Sequence, residues 1–156
     1  MFCNQCEQTT KGTGCEKTGV CGKTPDVAAL QDLLTHGLKN LSTLAVEGRK
    51  LGINDQALNF FTAKSVFATL TNVNFDAERF TALINECGTH AKALAEKVKA
   101  AGGNTDCVGD CACEGNSTAD FIAAGEKVGV KTWDENEDIA SLKQILTYGV
   151  RGLAAY

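Results

Sequence analysis

Residues Thr24–Gly52 read TPDVAALQDLLTHGLKNLSTLAVEGRKLG, and this stretch carries both the start and the stop of a long amphipathic helix. Thr24 can cap the helix, Pro25 suits its first position, and Asp26 would face the positive end of the helix dipole. Apolar residues then recur at intervals of three and four up to Gly52. They are Val27, Leu30, Leu34, Leu38, Leu41 and Ala45. We therefore predict one long helix that packs this face into a core.

Two further amphipathic helices are predicted at about residues 55–71 and 76–101. Asn72 and Asn74 mark the turn between them, and Gly102-Gly103 stops the second. Three amphipathic helices joined by short turns predict an all-α fold, built as an antiparallel three-helix bundle.

The last segment of the chain repeats the first helix. Residues 26–44 align without a gap with residues 138–156. Identical pairs include Leu30 with Leu142, Leu34 with Leu146, Thr35 with Thr147, Gly37 with Gly149, and Leu41 with Leu153. Lys39 is matched by Arg151, and His36 by Tyr148, an exchange that suggests packing or a hydrogen bond rather than ligation. This is an internal repeat in which only the first helix of a second bundle is present.

The repeated helix carries an apolar face that needs a partner. Its members are Ile139, Leu142, Ile145, Leu146, Val150 and Leu153. An exposed apolar stripe favours association, so this face should dock on the first bundle or on another chain. We expect a fragment or a natural truncation, with self-association through the incomplete second bundle. The predicted units are a cysteine-rich loop over 1–23, the bundle over 24–103, a linker with a short helix over 104–137, and the partial bundle over 138–156.

Four cysteines crowd the N-terminal loop in the spacing Cys-x2-Cys-x8-Cys-x5-Cys. They are Cys3, Cys6, Cys15 and Cys21. Thiolates are soft ligands, and four of them saturate an iron–sulfur cluster or a zinc ion. Glycines between them allow close wrapping of the backbone, and Lys11, Lys17 and Lys23 would offset the charge of an anionic centre. The loop is therefore predicted to bind a metal centre.

Three kinds of site are compatible with four cysteines. Disulfides belong to oxidising compartments, whereas the chain begins Met1-Phe2-Cys3 without a signal sequence. A structural zinc ion is usually bound by two knuckles, each a pair of cysteines separated by two to four residues. Only Cys3 and Cys6 form such a pair here. Iron–sulfur clusters accept one short knuckle followed by more distant thiolates, so the spacing favours a cluster.

Four short segments of the sequence resemble the amino terminus of the hybrid cluster protein family, also called prismane proteins or hydroxylamine reductases. They are Met1–Thr9 (MFCNQCEQT), Gly12–Cys15 (GTGC), Gly19–Lys23 (GVCGK) and Ala29–Leu34 (ALQDLL). Phe67–Asn74 and Asn136–Leu142 resemble later family segments, so the likeness covers nearly the whole chain.

The resemblance implies a 4Fe-4S cluster on Cys3, Cys6, Cys15 and Cys21, because the compact spacing resembles the branch of the family with a cubane. It implies an electron-transfer module of an enzyme that reduces hydroxylamine to ammonia, with a link to nitric oxide detoxification. The family's catalytic hybrid cluster lies in later domains, so this chain alone is expected to be inactive and to need those domains and a redox donor protein. The alternative is a stand-alone iron–sulfur or zinc scaffold or assembly protein without reductase activity.

Four cysteines lie outside the N-terminal loop. Cys107, Cys111 and Cys113 lie in a short acidic loop and lack a fourth ligand, which Cys87 or His90 could supply. The simpler interpretation is a variable connection with reduced thiols, and Cys87 falls on the apolar face of the third helix as a small hydrophobic residue.

Composition limits the other classes of function. A net charge of −4 with dispersed basic residues argues against a nucleic-acid surface, and no apolar run reaches the length of a membrane span. Eight cysteines without a signal sequence make a reducing cytoplasm the expected compartment.

Trp133 is expected to anchor the linker to the bundle, and Glu7 and Asp32 could set the surroundings of a cluster.

Overall fold

The computed structural model describes residues 1–106 and 117–156, and the regular structure in these two ranges is helical. The helices are α1 (Pro25–Lys50), α2 (Gln56–Ala68), α3 (Ala77–Ala100), α4 (Thr118–Gly125) and α5 (Glu137–Leu153). Short 3-10 turns occur at Thr10–Gly12 and Val130–Thr132. The predicted all-α class is confirmed.

The helix starts follow the capping residues in the sequence. Thr24 Oγ1 accepts a hydrogen bond from the Val27 amide, Pro25 opens α1, and Asp76 caps α3 through the Glu78 and Arg79 amides. Each side chain satisfies N–H groups that have no partner inside the helix. The far end of α2 differs from the prediction by a few residues, since α2 stops at Ala68 instead of about residue 71.

The core forms around α1, which has its most extensive contacts with α3 and α4 and smaller ones with α2. Its members include Leu30, Leu34, Leu41, Phe80, Ile84, Val98 and Phe121, all at most 1% exposed. Helix α4 belongs to this core through Phe121, and Gly125 packs directly against the Ala29 carbonyl of α1. The short helix of the predicted linker therefore packs into the core of the bundle.

Helix α5 is oriented differently from α1, the helix that it repeats. Leu30 and Leu34 are fully buried in α1, whereas the matching Leu142 and Leu146 are 66% and 69% exposed. Among the residues of α5, Arg151 is the buried one, at 3% exposure. The apolar face expected to dock on the first bundle or another chain thus points away from the bundle, and the polar face is turned inward.

No helix in the described ranges is both long and apolar enough to cross a bilayer.

Candidate metal centre

The N-terminal loop is held together by a pairing between its first and third cysteines. The Cys3 amide donates to the Cys15 carbonyl at 3.1 Å, and the Cys15 amide donates back to the Cys3 carbonyl at 2.8 Å. Gly14 lies against the ring of Phe2, so closely that an added Cβ would overlap it. These contacts bring two of the four predicted ligands onto neighbouring strands of backbone.

One polar side chain of the loop lies beside each sulfur atom of this pair. Thr10 Oγ1 lies 3.4 Å from Cys15 Sγ, and Gln5 Nε2 lies 3.8 Å from Cys3 Sγ. The Thr10 hydroxyl, helped by backbone amides and by the charge of Lys23, lowers the pKa of Cys15. Hydrogen-bond donors of this kind favour thiolate over thiol, and thiolate is the form that binds metals.

Lys23 brings a positive charge close to these sulfurs. It is only 2% exposed, and its Nζ donates to Gln31 Oε1 at 2.5 Å while lying 4.0 Å from Cys3 Sγ. Gln31 Nε2 in turn donates to the Asn74 carbonyl at 3.2 Å, which connects the loop to α1 and to the turn before α3. Of the three lysines expected to offset a cluster's charge, Lys23 alone is buried here, while Lys11 and Lys17 are exposed.

The second half of the loop is equally close-packed. A Cβ on Gly19 would lie 2.9 Å from Cys21 Sγ and 3.0 Å from Lys23 Cβ, so a larger residue would displace one of them. Gly22 has φ of +90°, a conformation that side chains disfavour. Cys6 is half-buried, and its carbonyl accepts hydrogen bonds from the amide and hydroxyl of Thr9. The glycines therefore do allow the tight wrapping that the sequence suggests.

The donor set fits a thiolate-bound metal centre in its chemistry. Cys3, Cys6, Cys15 and Cys21 form no disulfide with one another or with other described residues. Their side chains share one short loop that contains a buried ammonium and two neutral donors next to the sulfurs. Within residues 1–106 and 117–156, however, no three His, Cys, Asp or Glu side chains converge closely enough to hold one ion. The four-cysteine ligand set therefore remains a prediction.

Side chains of α5 reach the loop, and sequence reasoning did not foresee these contacts. Tyr148 Oη donates to Asn4 Oδ1 at 2.6 Å, and Asn4 Nδ2 donates to Gln144 Oε1 at 2.9 Å. Arg151 donates from Nη1 to Gln5 Oε1 at 3.2 Å. The exchange of His36 for Tyr148 in the repeat suggested packing or a hydrogen bond for His36, and it gave no partner for Tyr148.

A half-buried carboxyl, that of Asp32, lies near this contact region. Burial raises the pKa of Asp32 to about 7, against the opposing charges of Arg151, Lys23 and Lys39. Glu7, the other carboxylate suggested for the surroundings of a cluster, is exposed. Asp32 is thus the better placed of the two to influence the loop.

Of the residues considered for a second metal site, Cys87 and His90 lie among the described residues. Cys87 is fully buried in the core, as expected for a small hydrophobic residue, and His90 lies against the Phe61 ring with a centroid distance of 4.6 Å. Cys107, Cys111 and Cys113 lie outside the described residues.

Known proteins match this chain over its whole length. The Prismane/CO dehydrogenase family matches residues 1–156. The chain is 50% identical to "Hydroxylamine reductase" of Syntrophobacter fumaroxidans and to that of Maridesulfovibrio salexigens, and 44% identical to that of Methanocella arvoryzae. Each alignment covers all of this chain but only 29%, 28% and 30% of the respective relative. The chain therefore spans less than a third of the length of these relatives.

Proposed function

Since this chain belongs to the Prismane/CO dehydrogenase family, we propose that it is the iron–sulfur electron-transfer module of a hydroxylamine reductase. Cys3, Cys6, Cys15 and Cys21 would hold a 4Fe-4S cluster. Such a cluster supplies one-electron transfer when bound. The observation that carries the proposal is the set of donors around the cysteine sulfurs, which includes the buried ammonium of Lys23 4.0 Å from Cys3 Sγ.

The residues of the loop have distinct tasks in this proposal. The paired backbones of Cys3 and Cys15 fix the spacing of two ligands, and the Thr10 hydroxyl favours the thiolate of Cys15. The ammonium of Lys23 offsets negative charge at the sulfurs, and its low exposure prevents water from screening that charge. Together they prepare a site with thiolate character beside the helical bundle.

We assign no catalytic residue to this chain. The reduction of hydroxylamine to ammonia, and a contribution to nitric oxide detoxification, belong in our proposal to the longer protein that includes the catalytic hybrid-cluster domains. A redox donor protein in the reducing cytoplasm would deliver electrons to the loop. The chain itself would act as the electron entry domain.

The test is metal analysis of the anaerobically purified chain, with electron paramagnetic resonance after dithionite reduction. We expect about four irons and four acid-labile sulfides per chain and a reduced-cluster signal. Cys15→Ala should lose both, whereas Cys87→Ala, a control at a buried core cysteine, should keep both. One zinc per chain without sulfide would overturn the electron-transfer proposal and leave a structural zinc scaffold.

A further inference from the structure

We infer that the polar face of α5, formed by Gln144, Tyr148 and Arg151, positions the knuckle Cys3-Asn4-Gln5-Cys6 and sets the electrostatic potential there. These three residues are spaced by four and three positions, so they project from one side of the helix. The inference rests on the proposed function, because that proposal assigns cluster binding to the knuckle. It makes α5 part of the cluster site.

Asn4 is held at both ends of its side-chain amide. Its Oδ1 accepts from the Tyr148 hydroxyl at 2.6 Å, and its Nδ2 donates to Gln144 Oε1 at 2.9 Å. These two bonds restrict rotation of the side chain. Because Asn4 directly follows Cys3, fixing its side chain also restrains the backbone that presents the Cys3 sulfur.

Arg151 connects the knuckle to the core of the bundle. It donates from Nη2 to Thr35 Oγ1 at 2.9 Å and from Nη1 to Gln5 Oε1 at 3.2 Å. Gln5 Nε2 lies 3.8 Å from Cys3 Sγ, so one side chain separates the guanidinium from a predicted ligand. A guanidinium stays charged at any pH a protein experiences, and at 3% exposure its charge is poorly screened by water.

The polar face of α5, and not its apolar stripe, is turned towards the loop and α1. Leu142, Ile145 and Leu146 are 66–69% exposed, whereas Arg151 is 3% exposed. Burying Arg151 instead costs desolvation, and its Nε finds no hydrogen-bond partner among the described residues. The polar side chains of this face bond largely to Asn4 and Gln5 of the knuckle, which is the arrangement expected of a helix that positions it.

The test compares four variants of the full chain after cluster loading: Tyr148→Phe, Arg151→Gln, Arg151→Lys and the control Leu146→Gln. Tyr148→Phe removes one hydrogen bond and keeps the ring. We expect it to broaden the resonance signal of the reduced cluster and to speed iron loss to a chelator by about threefold to tenfold. Leu146→Gln changes an exposed residue on the opposite face and should match the wild type in resonance signal, iron retention and potential.

The arginine variants separate charge from shape. Arg151→Gln should favour the oxidised cluster about tenfold, equal to a potential lower by about 59 mV for one electron. Arg151→Lys keeps the positive charge and should keep the potential near that of the wild type. Circular dichroism must show α-helix in each variant, and Tyr148→Phe provides the mild change if Arg151→Gln unfolds.

The outcomes distinguish the inference from the function beneath it. A wild-type chain that binds no iron and sulfide overturns both. A loaded wild type, with Tyr148→Phe and Arg151→Gln unchanged in signal, iron retention and potential, overturns the role of α5 alone. Equal potentials in Arg151→Gln and Arg151→Lys would overturn the electrostatic part.

Discussion

The ammonium of Lys39 lies 3.3 Å from the centroid of the Trp133 ring. Trp133 also donates from Nε1 to the Val128 carbonyl at 3.3 Å, so this ring joins the segment after α4 to α1. The predicted anchoring of the linker by Trp133 is thereby confirmed. Burial and the nearby charge of Arg151 lower the pKa of Lys39 to about 8.

Fluorescence of the only tryptophan should report this titration. As the pH rises through about 8, Lys39 loses the charge that lies against the ring, and the emission should change with an inflection there. Lys39→Met should remove the inflection, and the exposed Lys64→Met should retain it. An identical curve for Lys39→Met would contradict the assignment.

Asp32 should make the protein less stable as the pH rises from about 4 to 7. Burial raises its pKa to about 7 in the folded chain, whereas the ordinary value is 3.8, so the folded state binds this proton more tightly. The stabilisation is present at low pH and is lost as the pH passes through the folded pKa. Urea unfolding at pH 5.5 and 8 should show a smaller difference for Asp32→Asn than for wild type or exposed Asp138→Asn.

Two glycines should respond oppositely to alanine. A Cβ on Gly125 would overlap the Ala29 carbonyl oxygen, a backbone atom that cannot turn aside, and we expect a cost of about 1–3 kcal/mol. Gly149 in α5 has nothing within 4 Å of an added Cβ, so Gly149→Ala should stabilise the helix by about 0.5–1 kcal/mol. Chemical denaturation of both variants measures the difference, and a neutral Gly125→Ala would rule out the close packing of α4.

Leu34 and Leu146 occupy matching positions of the repeat, and the loss of stability on substitution by alanine should follow the burial of each. Leu34 is fully buried, so Leu34→Ala should cost about 2–5 kcal/mol of unfolding free energy. Leu146 is 69% exposed, and Leu146→Ala should stay within about 0.5 kcal/mol of wild type. Similar losses at the two positions would mean that α5 buries its apolar face in solution.

Self-association through α5 remains a prediction and can be measured separately. The exposed stripe of leucines and isoleucines should drive concentration-dependent association of the isolated chain. Leu142→Gln with Leu146→Gln should shift the sedimentation coefficient towards the monomer. A wild type that stays monomeric at high concentration would exclude this association.

Local signals explain how far the sequence predicts the fold. Thr24, Pro25 and Asp76 determine helix starts through neighbours within three residues, and the spacing of Leu30, Leu34 and Leu41 identifies their buried face. These interactions depend on short sequence distances, so a single sequence contains them. The cysteine spacing likewise indicates a soft-metal site without any knowledge of the fold.

The orientation of α5 could not be predicted in this way. Its apolar spacing matches α1, but the buried side is decided by Asn4 and Gln5, whose partners lie 140 or more residues away. The burial of Lys23 was missed for a related reason, because a lysine in a glycine-rich loop ordinarily reaches solvent and its partner Gln31 is on a helix.

The bond between Asn4 and Tyr148 also has a consequence for the order of events during synthesis. Residues 144 positions apart meet there, so the knuckle leaves the ribosome long before α5 exists. Domains form as the chain emerges, and a contact that closes so large a loop forms late. Under the proposed function, a newly made N-terminal loop would therefore be open to cluster insertion before its contacts with Tyr148 and Arg151 form.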